Sequence, residues 1–226
     1  MERITCRLPS KRNVRIPVPN RYFGVFQDGE IKYRGIELRH HDTPPWVAKT
    51  QLAVLQCLAQ AKTLALVQAY ISQACEIVAQ AKRDLRAGRV PVDDLLITQR
   101  LSREVEAYKS PSPAARAALQ LVEMGIKVAP GQAIQFVYTL GKPGVWVQGA
   151  NSFNEKTLAV EEYSKLLQRA ALTILEPFVR DLTSSPPILS TFGQPGSNQP
   201  PLQKQAEYNS ACFSTNTASR SYGNYR

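Results

Sequence analysis

Apolar and polar positions along the first 45 residues fall into short runs of mixed character. Arg21 to Gln27 and Ile31 to Arg39 each carry aromatic or β-branched residues, with Gln27-Asp28-Gly29-Glu30 between them. An Asp-Gly pair flanked in this way predicts a β-hairpin. Pro44-Pro45 then interrupts the chain, because the residue before a proline is pushed out of helical space. From about Trp46 to Arg86 the period lengthens. Leu64, Val67, Ile71, Ala74, Val78, Ala81 and Leu85 follow at steps of three and four, which predicts one apolar helical stripe. Its alanines make a weak coiled-coil zipper, so the stripe is expected to pack within its own domain. Gly88 would close the helix.

Asp93 to Lys109 reads as a short strand or helix followed by an irregular connection. Ser112-Pro113 opens a further helix, with serine as N-cap and proline in the first turn, running through Ala118 and Val122 to Gly125. Pro130-Gly131 marks a turn. Ala133 to Leu140 and Val145 to Gln148, joined by Gly141-Lys142-Pro143-Gly144, predict a second hairpin. Ser152 with Glu155 has the spacing of a capping box, and Tyr163, Leu167, Ala170, Ile174 and Phe178 would line one face of a last helix. After Thr183 serine, proline, glycine, glutamine and asparagine dominate. Such a composition buries too little apolar surface to offset its ordering entropy, so a flexible tail is expected. The fold class is α+β.

Lys and Arg outnumber Asp and Glu by 28 to 18, a formal charge of +10. Nucleic acid is the first partner this implies, an anionic membrane the second. A membrane-surface protein would need an amphipathic basic helix, and none is evident. No secretory signal opens the chain, and Lys62 with several glutamines breaks the most apolar stretch, Leu52 to Ile71. Cys6, Cys57, Cys75 and Cys212 show no CxxC spacing and read as free thiols of a cytoplasmic protein.

Motifs for nucleophilic, zinc, P-loop or dinucleotide chemistry are not found. Asp93-Asp94 follows Pro91 where an element begins, so capping or solvation explains it. Glu161-Glu162 suits the first turn of a helix, where the macrodipole favours negative charge. The cations are more informative. Nine of them, against four carboxylates, crowd into the first 40 residues, with Tyr22, Phe23, Phe26 and Tyr33 among them. Basic side chains beside tyrosines on a hairpin suit phosphate and sugar contacts that position a duplex without reading its sequence.

Order and wording then point further. Pro17-Val18-Pro19-Asn20-Arg21-Tyr22-Phe23-Gly24, Lys32-Tyr33-Arg34-Gly35-Ile36-Glu37 and Arg39-His40-His41-Asp42 resemble the end of the palm domain in family B DNA polymerases. There a Lys-x-Tyr loop leads to "RGIE" and an Arg-Arg-Asp element. Asp94 to Thr98, Leu101-Ser102-Arg103, Glu106 to Lys109, Pro113 to Ala117, Gly125 to Gln132 and Tyr163 are similar to the thumb of the same family.

The resemblance implies a palm end at residues 1–45, a thumb at 46–182 and a tail at 183–226. It also implies a duplex-contact set of Asn20, Arg21 and Tyr22, then Arg39, His40, His41 and Asp42, then Arg103, Tyr108, Lys109 and Arg116. Asn20 stands where lysine is usual, and His40 and His41 where arginine is usual. Imidazoles there would weaken the grip on phosphate and make it pH-sensitive. The family's catalytic aspartates, their Mg2+ ions and its fingers helix come earlier in family order, before the position of Met1. No catalytic or metal-ligating residue is therefore expected on this chain. The expected function is binding of primer–template DNA, completing a larger chain with palm and fingers. The alternative is a non-enzymatic DNA-binding module or decayed fragment. Ser219 to Gly223 resembles the fingers motif only faintly and stands in the tail.

Overall fold

The computed structural model describes residues 2–9, 17–150 and 152–184. The expected tail beyond Ser184, Cys212 with it, and the Lys11, Arg12 and Arg15 cations lie outside the described residues.

The first hairpin turns at Asp28-Gly29. The Phe26 N–H donates to the Glu30 carbonyl at 2.9 Å, and the Gly29 N–H to that of Phe26 at 3.1 Å. Three strands result, β1 (Glu2–Pro9), β2 (Pro17–Phe26) and β3 (Ile31–Arg34), in the order β1-β2-β3 with both pairs antiparallel. The outer strand β1 was not expected. A strand running from Ile31 to Arg39 also gives way: β3 stops at Arg34, and Glu37–Arg39 is a 3-10 turn. Gly35 is the cause. Its φ of +63° turns the chain beneath the Asn20 carbonyl and delivers Ile36 into the core, fully buried.

Four helices follow: α1 (Pro45–Ala59), α2 (Leu64–Arg86), α3 (Pro113–Glu123) and α4 (Val160–Ser184). The helical pattern from Trp46 to Arg86 is thus two helices. They part at residues 60–63, where the Gln60 and Ala61 N–H groups bond back to Cys57 and Leu58 and Ala61 is sealed from solvent. Val67, Ile71, Ala74, Val78 and Leu85 of the expected stripe are buried, and α2 packs on α1 and α4 of its own chain. Gly88 ends it with a φ of +66°. The Ser112 Oγ accepts from the Ala115 N–H at 3.2 Å, the expected N-cap of α3.

The second sheet holds β4 (Ile97–Arg100), β5 (Ala133–Tyr138) and β6 (Val145–Trp146), antiparallel in that order. The capping box does not form. Asn154 instead caps a 3-10 turn at Glu155–Thr157, accepting from the Lys156 N–H at 3.1 Å, and α4 begins only at Val160. Residues 158–159, just beyond that turn, run alongside the end of β5. Thr139 bridges Leu158, the Leu140 N–H reaches the Thr157 carbonyl at 2.6 Å, and the Ala159 N–H reaches that of Tyr138 at 3.1 Å. Tertiary pairing outweighs the local signal there.

The core lies between the sheets and α4, whose Tyr163, Leu167, Ala170, Ile174 and Phe178 are all buried, as expected. Phe23 of β2 meets Phe178 edge-on, centroids 6.1 Å apart. The Tyr163 hydroxyl donates to the Leu95 carbonyl at 2.7 Å and accepts from the Tyr138 N–H at 3.2 Å, tying β5 to the segment ahead of β4. Tyr163→Phe should therefore cost about 1–3 kcal/mol in denaturant unfolding, because it strands two polar groups in the core. Burial also raises the Tyr163 phenol well above its ordinary range. The unfolded chain then releases this proton first, so stability falls as pH rises above about 10. The variant should show a shallower alkaline slope, and an unchanged slope would refute this.

Candidate nucleic-acid interface

β2 and β3 sort their side chains by the two-residue period of a strand. Tyr22 stands opposite Arg34 on one side and Arg7 on the other, and Gly24 opposite Lys32. Directly opposed residues share a face, so Arg7, Tyr22, Phe26, Lys32 and Arg34 form one basic and aromatic surface. The Lys32 Nζ lies 5.9 Å from the Tyr22 ring centroid and 5.5 Å from that of Phe26. Phe23 and Val25 take the opposite face into the core. Arg21 alternates away from Tyr22, and its Nε donates to the Gly35 carbonyl at 3.2 Å. Asn20 is exposed. The three residues expected together as one contact loop are therefore split between two faces.

Arg39, His40, His41 and Asp42 are all exposed, at the end of the 3-10 turn and in the turn that follows. Backbone bonds from Arg39 to Ile36, His40 to Glu37 and Thr43 to His40, each 2.9–3.1 Å, close these turns on themselves. The exposed side chains are thus carried on a short, bonded frame.

The chain leaving β4 brings the third group together. The Tyr108 hydroxyl receives the Ser102 N–H at 3.2 Å and lies 2.9 Å from the Ser102 Oγ, while the Arg103 guanidinium sits 5.3 Å from the Tyr108 ring centroid. The Ser102 hydroxyl bond, helped by backbone donors and the Arg103 charge, holds the Tyr108 phenol below its ordinary range. Lys109 is exposed beside it.

Arg116 projects from α3 into an open pocket of about 950 Å³, lined also by Tyr138, Thr139, Lys142 and Glu162. Its Nε is buried without a hydrogen-bond partner. Burial raises the Tyr138 phenol, and the charges of Glu162, Arg116, Asp42 and Arg169 all act on it. The charges of Asp42, from the turn after the first sheet, and Arg116, from α3, thus bear on one tyrosine although the two are 74 positions apart in the chain.

Lys32, Ser102 and Lys142 join these groups without having been expected at them. Lys32 was visible only as part of the charge excess, and Lys142 only as a hairpin turn residue. No local signal pairs Ser102 with Tyr108. Asp94, expected only to cap or to be solvated, instead forms an ion pair with Lys49 of α1 at 2.7 Å. Among the described residues no three His, Cys, Asp or Glu side chains cluster closely enough to hold a metal ion, and no helix is long and apolar enough to cross a membrane. Cys6, Cys57 and Cys75 form no disulfide among the described residues.

The model of the family described as DNA polymerase family B matches residues 19–176. A DNA polymerase 2 of Aeropyrum pernix is 30% identical over 161 residues, covering 70% of this chain and 19% of that protein. A DNA polymerase 1 of Saccharolobus solfataricus is 28% identical over 158 residues, covering 70% and 18%, and a DNA polymerase of Thermococcus litoralis is 26% identical over 143 residues, covering 63% and 8%. The fold is similar to that of the family B DNA polymerase from the hyperthermophilic archaeon Pyrobaculum calidifontis, with a TM-score of 0.58 at 24% identity over 73% of this chain and 21% of that one. The chain thus spans less than a fifth of the length of these curated relatives. Matched from within β2 into α4, over well more than half of its length, the chain belongs to DNA polymerase family B.

Proposed function

We propose that this chain is the duplex-gripping portion of a family B DNA polymerase, with residues 1–45 ending the palm and 46–182 forming the thumb. The observation that carries the proposal is the family match across residues 19–176, within which cations recur on separate segments, Arg39, Arg103 and Lys109 exposed and Arg116 half-buried. Arg39 stands on the turn after the first sheet, Arg103 and Lys109 beside Tyr108, and Arg116 in the α3 pocket. Contacts spread in this way suit successive phosphates of a primer–template duplex, which fix register without reading bases. The aspartates and Mg2+ of nucleotidyl transfer would come from a larger palm and fingers chain, which this one completes. Alone it would bind and not polymerise. Its place would be the cytoplasm, with the DNA.

The test is affinity for a primer–template duplex across salt, with a single strand as control. If about five phosphates are engaged, log affinity falls against log salt with a slope near −4 to −5. Weak binding, with neither that slope nor a duplex preference, would refute the grip. One observation favours a second reading, a non-enzymatic binding module: asparagine and histidines stand at positions 20, 40 and 41, where the family's cations are expected. His41→Arg should then restore a phosphate contact and steepen the slope by about 0.9. Mixing with a chain that carries the aspartates separates the readings, since only the first expects primer extension to rise.

A further inference from the structure

Between the first sheet and the helices lies a polar network that the proposed contact set does not use. Glu37 is 7% exposed and Gln51 of α1 only 1%. The Gln51 amide nitrogen donates to Glu37 Oε2 at 3.1 Å and to the Ala170 carbonyl of α4 at 2.8 Å, while its oxygen accepts the Leu38 N–H at 2.7 Å. The Thr173 hydroxyl of α4 lies 3.1 Å from Glu37 Oε1, and the Arg169 Nε lies 4.0 Å from the same oxygen. Glu37 opens the 3-10 turn whose end is Arg39. The root of the exposed Arg39–Asp42 turn is therefore fastened at both a backbone N–H and a side chain to two helices.

We infer that Gln51 and Glu37 are positioning residues for the Arg39–Asp42 turn, linking its backbone to α1 and α4 so that its side chains meet DNA in one fixed arrangement. The DNA part of this rests on the proposed grip, whereas the positioning itself does not. A buried amide making three bonds is an expensive way to fill space: an apolar residue of that size would pack there without partners to satisfy. What a glutamine adds is direction. One planar group holds three partners, two on the 3-10 turn and one on α4, at set angles.

Two measurements on the full chain test the inference separately. Amide hydrogen exchange in Gln51→Leu should quicken by about tenfold or more at Leu38, Arg39 and His40, while Phe136 and Val137 of β5 keep their protection. Equal acceleration everywhere would mean a merely structural residue, and no acceleration would mean no positioning; either overturns the inference. Should that variant fail to fold, Thr173→Val removes one bond to Glu37 and is held to the same pattern.

The second measurement is duplex affinity in a double-mutant cycle with Arg39→Ala. Gln51→Leu should weaken binding in the parent and have little further effect once Arg39 is gone, because it acts through the turn. Additive losses would overturn the link to DNA. If Arg39→Ala alone leaves affinity and salt slope unchanged, the proposed grip fails at this turn, while the exchange result still decides the positioning.

Discussion

Gly35→Ala is expected to remove about 3 kcal/mol of folding stability, combining the left-handed backbone penalty with severe overpacking. The residue holds a φ of +63°, where a side chain crowds its own backbone. A Cβ built there would lie 2.2 Å from the Asn20 carbonyl oxygen, 3.2 Å from that carbonyl carbon and 2.9 Å from Arg21 Cγ. The first two are backbone atoms in the middle of β2 and have no rotamer to escape into. Relief must come from moving β2 against the turn, yet both are held. Tyr22 is in register with Arg34, the Arg21 Nε is bonded to the Gly35 carbonyl, and Ile36 is sealed in the core. Urea unfolding of the full chain checks this, with a loss under about 1 kcal/mol showing that the strand pair yields easily. Because Gly35 sets the step from β3 to the Arg39–Asp42 turn, duplex affinity should fall with stability.

The combined variant Arg39→Ala, Arg103→Ala and Arg116→Ala should weaken duplex binding by about 10²–10³-fold near 0.1 M salt and flatten the log–log slope by about 2.7, three phosphates at 0.9 each. The three cations stand on separate segments, the turn after the first sheet, the chain beyond β4, and α3. Their losses should be close to additive if each meets its own phosphate. Arg86→Ala, on the exposed last turn of α2, is the control and should leave the slope unchanged. A combined variant that keeps the parent slope would remove these residues from the grip. An equal loss for Arg86→Ala would mean that net charge alone, and not these positions, draws the DNA.

The resemblance to a family B palm and thumb rested on motifs in a fixed order, and the family match over residues 19–176 establishes the family. Much of the architecture was legible for local reasons. Asp28-Gly29 turns because glycine accepts a backbone that other residues resist, and Ser112 caps α3 because its hydroxyl reaches an N–H three residues on. The stripe of α4, and Val67, Ile71, Ala74, Val78 and Leu85 of that of α2, are buried as their periods predict, while Ala81 is half-buried. Each of these depends on partners within about four positions, the range over which a one-dimensional pattern carries information.

Where partners are distant, the pattern was silent or misleading. Ser152 and Glu155 have the right spacing for a capping box, but pairing of residues 157–159 with Tyr138, Thr139 and Leu140 holds the chain against β5 and delays α4. Arg21 and Tyr22 are adjacent in the chain and so point to opposite faces of a strand. The Gln51 bond to Glu37 spans 14 positions, and the Thr173 bond to the same carboxylate spans 136.

Propensity, period and composition were enough to read the helical stretches, the turns at Asp28-Gly29 and Pro130-Gly131, and where the positive charge is concentrated; the break between α1 and α2 and the turn at Gly35 were not legible in them. Packing settles which cations share a surface, which are held from behind, and why position 35 must be glycine. Those depend on the approach of atoms from remote segments, and close packing lets a strand or loop end only where its neighbours leave room.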